Sequence, residues 1–176
     1  MDRKRFLAAP TFSEYLKTVE KNRELWHALS RRAVADEATR ERARAIPGSW
    51  HVVALTEDWC GDAINTLPVF DRLAELTPDI ELRVLLRDEN LDLMDAHLTN
   101  GTSRSIPVLI AYDADFEERG WWGPRPAPIQ AWVMTEGMKL DVKDRYRGEV
   151  RRYYARDKGR TALDEFLTVL EAAALG

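Results

Sequence analysis

The sequence predicts an α/β fold: a mixed four-stranded sheet flanked by helices, with extra helices at both ends. Three patterns lead there. Two short apolar runs, 50–56 and 80–86, are each followed by residues of helical periodicity, which demands parallel strands joined by a right-handed crossover. Two further runs, 107–112 and 116–121, lie either side of Asp113-Ala114-Asp115, close enough for a hairpin. Stripes of period 3.6 precede the first run and follow the last.

Each element has its own signal. Thr11 with Glu14 forms a capping box, and Phe12, Tyr15, Leu16, Val19, Trp26 and Leu29 then recur on one face of a single predicted helix. A second helix is predicted over 33–45, stopped by Ile46-Pro47-Gly48. W-H-V-V-A-L-T (50–56) is a buried strand. The helix over 60–76 has an inner face of Ile64, Leu67, Phe70, Leu73 and Ala74, with Pro68 kinking it because proline has no N–H to give. I-E-L-R-V-L-L (80–86) is the second strand, and a short helix over 90–98 stops at Asn100-Gly101. After the hairpin, G-P-R-P (123–126) breaks the chain before a helix over 126–135, where Pro126 takes a tolerated first-turn position. Val142, Tyr146, Val150 and Tyr153 make one apolar stripe in the tail. Thr161 to Asp164 is read as the cap of a last helix that turns Leu163, Phe166, Leu167 and Leu170 inward. The expected division is a helical extension over 1–48, an α/β core over 49–138 and a second helical extension over 139–176.

Hydrophobic residues make up 45 % of the chain and charged residues 32 %, so it can bury a core and stay soluble. The net charge of −4 comes from well-mixed acids and bases, which argues against a nucleic-acid binder. The Tyr/Arg-rich stretch 145–156 carries acids and an apolar stripe, so a packed helix is preferred there to an RNA surface. One cysteine, Cys60, excludes an internal disulfide and a multi-cysteine zinc site and fits a reducing compartment. The basic N-terminus has no apolar stretch of signal-peptide length, and no run approaches the ~20 apolar residues of a membrane span. The expected location is the cytoplasm. His27, His51 and His97 are too dispersed to suggest a metal site.

Chemistry concentrates in T-E-D-W-C-G-D-A (56–63). Trp59-Cys60-Gly61 follows a buried strand and opens a helix, Pro68 lies within that helix, and Ser105-Ile106-Pro107 opens the third strand. Together these resemble the thioredoxin fold. E-D-W-C-G-D-A, L-L-R-D-E-N (85–90), L-T-N-G (98–101), S-I-P-V-L-I (105–110) and W-G-P-R-P (122–126) look like a bacterial subfamily of thioredoxin-like proteins. The resemblance covers about 50–131 and implies a cis Ile106–Pro107 peptide. It also exposes two departures: Ala63 stands where the second, resolving cysteine belongs, and Ala54 where the family's buried proton-handling carboxylate belongs. The dithiol cycle and its proton handler are both missing.

Cys60 therefore reads either as a reactive single thiol or as a relic. The helix start favours a thiolate, with an expected pKa below the ~8.5 of free cysteine, while Glu57, Asp58 and Asp62 oppose it. Asp62 is either a proton acceptor beside the sulfur or a helix-start acid. Arg125, rigidly placed between two prolines, could pair with a thiolate, a glutathione carboxylate or Asp62. Trp59, Gly61, Ile106, Pro107 and Trp122 are the expected substrate-facing residues. Trp59, Trp121 and Trp122 form either an aromatic platform or core filling, with alternation sending one of Trp121 and Trp122 inward. The resemblance implies a monothiol thiol-disulfide oxidoreductase, which would exchange with protein or glutathione disulfides or remove glutathione from thiols. It needs no cofactor, with glutathione as the candidate co-substrate. The alternative is a redox-inactive module that binds a partner strand near Pro107. Iron–sulfur transfer ranks last, because the rest of the monothiol-glutaredoxin pattern is absent.

Overall fold

The computed structural model describes residues 1–140 and 143–175. Four strands, β1 (Trp50–Thr56), β2 (Ile80–Leu86), β3 (Val108–Tyr112) and β4 (Glu118–Trp122), form one sheet in the order β2-β1-β3-β4. β1 and β2 are parallel; β3 runs antiparallel to both β1 and β4. This is the mixed sheet the sequence predicts, and the Ile106–Pro107 peptide is cis.

Nine helices surround the sheet among the described residues: α1 (Arg3–Ala8), α2 (Phe12–Thr18), α3 (Arg23–Arg32), α4 (Glu37–Ala45), α5 (Gly61–Leu76), α6 (Leu91–Ala96), α7 (Ala127–Thr135), α8 (Lys143–Asp157) and α9 (Arg160–Ala174). One face of the sheet carries α5 and α9: Trp122 meets Phe70 and Phe70 meets Phe166, both edge-to-face. On the other face Phe6 of α1 packs against His51 and Phe116, and His97, just past α6, against Trp121. Side chains alternate across a strand, so the neighbours Trp121 and Trp122 lie on opposite faces.

Three expectations about the helices are corrected. The predicted first helix is two, because the chain leaves α2 at Val19 and re-enters at Asn22, whose φ of 55° is left-handed and outside any continuous helix. The second begins at Glu37, capped by the Asp36 side chain on the Thr39 amide, rather than at residue 33. The last helix is capped at Gly159, not Thr161, whose hydroxyl bonds back to Asp157. Gly159 has φ +79°, and a Cβ there would stand 2.6 Å from Val69 Cγ2, so only glycine lets α8 turn into α9 this close to α5. α1 was not foreseen. Within the tail stripe, Tyr154 rather than Tyr153 is the buried tyrosine, and Val142 lies outside the described residues.

The added helices belong to the same continuous core. Phe6, Phe12, Tyr15 and Trp26 join it from the N-terminal side, and Phe166, Leu167 and Leu170 from the C-terminal side. The N-terminal segment also covers the free edge of β2: Thr11 bridges Arg83, and the Val84 amide donates to the Pro10 carbonyl at 2.9 Å. That removes an unpaired strand edge. Among the described residues no helix is long and apolar enough to cross a membrane.

Candidate functional site

The site is built at the C-terminal end of β1, where the chain turns into α5. Cys60 is the N-cap of α5, with extended backbone, and its Sγ accepts from the Ala63 amide at 3.5 Å. The thiol donates to the Ile106 carbonyl, 3.3 Å away, and so faces the loop that Pro107 continues into β3. Cys60 is only 5 % exposed. Burial pushes its thiol up to about 11, with the Asp62 charge adding to the rise and the Ala63 and Asp62 amides opposing it. The expected lowering is thus reversed: a helix start at an exposed site contributes ~0.3–1 kcal/mol, too little against the desolvation of a thiolate enclosed by protein.

The acids around Cys60 have separate duties. Asp58 is turned towards the N-terminal helices, where its carboxylate accepts from the Glu20 and Lys21 amides at 3.1 and 2.8 Å. Its carbonyl accepts from Trp26 Nε1 at 2.9 Å. Glu57 accepts from the Asp88 amide at 3.0 Å. The turn carrying Cys60 is thereby tied to the loop before α3 and to the turn after β2.

Asp62, in the first turn of α5, is buried and forms an ion pair with Arg125, Nη2 to Oδ2 2.7 Å. The Tyr154 hydroxyl donates to its other oxygen at 2.9 Å. Arg125 also donates to Gln130 Oε1 at 3.0 Å. Burial pushes the Asp62 carboxyl up, while Arg125 and Tyr154 pull it back. Of the three partners open to Arg125, the structure places it on Asp62. Tyr154 is the residue missed in the sequence. Tyr146, Val150 and Tyr154 recur every four residues, a signal that pointed to it and that the choice of Tyr153 overlooked.

The aromatic residues separate. Trp59 is 44 % exposed, with the Arg87 guanidinium over its ring at 5.1 Å. Trp122 is buried, and its Nε1 donates to Glu165 of α9 at 2.7 Å. Trp121 lies on the opposite sheet face. The structure therefore brings together Cys60, Gly61, Asp62, Ile106, Pro107 and Arg125, with Trp59 at the rim and Trp122 apart from them. Gly123, with φ +144°, lies under the loop: a Cβ there would stand 2.3 Å from the Pro107 carbonyl oxygen.

A thioredoxin family model matches residues 9–143. The chain belongs to the thioredoxin family. The match includes α2, α3 and α4 as well as the sheet, so this thioredoxin-family protein shares more with its family than the 50–131 stretch that carried the resemblance. Two solved structures are similar over nearly the whole chain. One is a protein of unknown function, PA1234 from Pseudomonas aeruginosa, at 20% identity and TM-score 0.73, covering 96% of this chain and 95% of that one. The other, an HIV epitope-scaffold, has 18% identity and TM-score 0.73, covering 96% of each chain. At such identities they show that the thioredoxin core and its added helices recur together as a fold. No curated protein matches this thioredoxin-family chain. Among the described residues, no group of three or more His, Cys, Asp or Glu is placed to hold a metal ion.

Proposed function

We propose that this protein is a single-cysteine thiol-exchange protein of the thioredoxin family, acting on a docked protein or glutathione disulfide. The observation that carries this reading is the position of Cys60, at the start of α5 with its sulfur 3.3 Å from the Ile106 carbonyl. A substrate strand laid along that loop would bring its disulfide to the sulfur. Cys60, as thiolate, attacks one substrate sulfur. The substrate S–S bond breaks, and the other sulfur leaves as a thiolate and takes up a proton. An external thiol, glutathione in a reducing cytoplasm, then attacks the mixed disulfide and releases Cys60. The chain contains no second cysteine to do this internally.

The thiol pKa sets the pace. At pH 7 a pKa of about 11 leaves roughly one thiol in ten thousand ionised, against about 3 % for a free cysteine. The more basic thiolate is the better nucleophile, which recovers about tenfold. Undirected exchange is then slower than for free cysteine by about an order of magnitude, and a bound substrate must make up the difference through proximity.

The burial of Cys60 favours a second reading, a redox-quiet module that holds a partner strand at the same loop. Incubation with oxidised glutathione between pH 7 and 10, followed by mass spectrometry, separates the two. A single glutathione adduct, absent in Cys60→Ser and forming about tenfold faster per pH unit, supports exchange. No adduct at pH 10 leaves the binding module.

A further inference from the structure

A groove of about 1060 Å³ opens beside the Cys60 turn, between α3, α5 and α8. Its floor is apolar: Leu29 from α3, Ile64, Pro68 and Val69 from α5, and Val150 from α8. Helix α8 is held at both ends and open in the middle. Tyr146 stacks on Trp132 at 6.1 Å, and Tyr154 is bonded to Asp62. Between them Val150 stays half-buried, on a helix whose one buried side chain among the described residues is Tyr154.

The charge of the lining is one-sided. Five cations, Arg32, Arg125, Arg147, Arg151 and Lys158, face a single carboxylate, Asp62. That carboxylate is already neutralised by Arg125. Among the described residues, neither Arg147 nor Arg151 has a partner within ion-pair distance, although the chain as a whole carries a net charge of −4. The two are four residues apart and so share one face of α8. A helix that gathers arginines over an apolar floor, in an acidic protein, has the chemistry of a site for a ligand with an apolar body and an acidic end. The volume suits a small molecule.

We propose that this groove binds an amphipathic organic anion. Its apolar body lies on Leu29, Ile64, Val69 and Val150, and its acid group is held by Arg147 and Arg151. The site does not use the Cys60 sulfur, which points away to Ile106, and so stands independently of the thiol-exchange reading.

Titration calorimetry with dodecanoate, run on the Cys60→Ser chain, tests it without any thiol chemistry. Saturable one-to-one binding is expected. It should weaken roughly tenfold or more in Arg147→Gln/Arg151→Gln, since charge-assisted hydrogen bonds are lost, and fall as salt rises. Both arginines are exposed, so the thermal melt should not move. Val150→Asp, which places a carboxylate on the floor, should abolish binding. Dodecanol, with the same chain and no charge, should bind at least about tenfold more weakly. Equal binding of dodecanol, unchanged affinity in the double variant, or no saturable binding of dodecanoate would overturn the proposal.

Discussion

Cys60 is stored as a neutral thiol, and its environment makes that measurable. Alkylation of the folded protein should accelerate about tenfold per pH unit from pH 7 and level off only near the thiol pKa of about 11; a plateau below pH 8 would contradict the burial seen here. The raised pKa also links to stability. A thiol that titrates higher folded than unfolded stabilises below the unfolded value of ~8.5, and that contribution disappears as pH rises through about 11. The Asp62–Arg125–Tyr154 cluster predicts an ordered series in denaturant unfolding. Arg125→Ala strands a buried carboxylate and should cost about 3 kcal/mol, while Tyr154→Phe removes one hydrogen bond to it and should cost about 1.5 kcal/mol. Asp71, on α5 beside Glu75, is pushed up to about 6 mainly by burial. Its folded pKa exceeds the unfolded value, so its contribution is full below about pH 4 and is lost as pH rises through 6. Asp71→Asn should therefore be more stable than the parent at pH 7, by about 1–2 kcal/mol once solvent screening is allowed for, with the gap closing at pH 4. Residue types at 59–63 announced the site. The pKa of Cys60 did not follow from them, because burial is set by the Ile106 loop and α5 together, and the sequence places these 46 residues apart.

Among the elements, β1 to β4 and α5 were legible because each is short, β-branched or periodic and bounded by its own breaker. The break between α2 and α3 was not. The apolar stripe continues across it, with Val19 and Trp26 both buried, and only Asn22 marks the turn. That break has a use: it presents the Glu20 and Lys21 amides to Asp58, next to the Cys60 turn. Asp58→Ala should cost about 1 kcal/mol, like the loss of a helix cap, and should speed Cys60 alkylation by loosening the turn; an unchanged alkylation rate would show that the N-terminal helices only fill space. The loop at Pro107 depends on close backbone approach. Gly123→Ala would set a methyl 2.3 Å from the Pro107 oxygen at a φ closed to L-residues. It should destabilise by more than about 2 kcal/mol and displace the Ile106 carbonyl from Cys60.

At the scale of the molecule, the missing second thiol and Ala54, fully buried in β1, predict no insulin reduction with a thioredoxin reductase and NADPH. Ala63→Cys supplies the sulfur without the carboxylate and should give at most slow turnover, and brisk turnover by the parent protein would sink the reading. The mixed character of the sheet, a parallel first half with an antiparallel hairpin added, was legible from the alternation of elements. What escaped was how tightly the flanks are sewn in, since this rests on pairs far apart in the chain. Arg42 of α4 forks onto Asp164 and Glu171 of α9, and Glu165 of α9 receives both Trp122 Nε1 and the Ala127 amide. α9 lies so close on β4 that a Cβ at Gly120 would stand 2.8 Å from Val169. This has a consequence for biosynthesis. As the chain leaves the ribosome, α1 to α8 emerge while the Trp122 face of the sheet is covered by α5 alone and the part under α9 is still open. The nascent chain must carry that apolar surface, a substrate for chaperones, until Phe166, Leu167 and Leu170 arrive to close it.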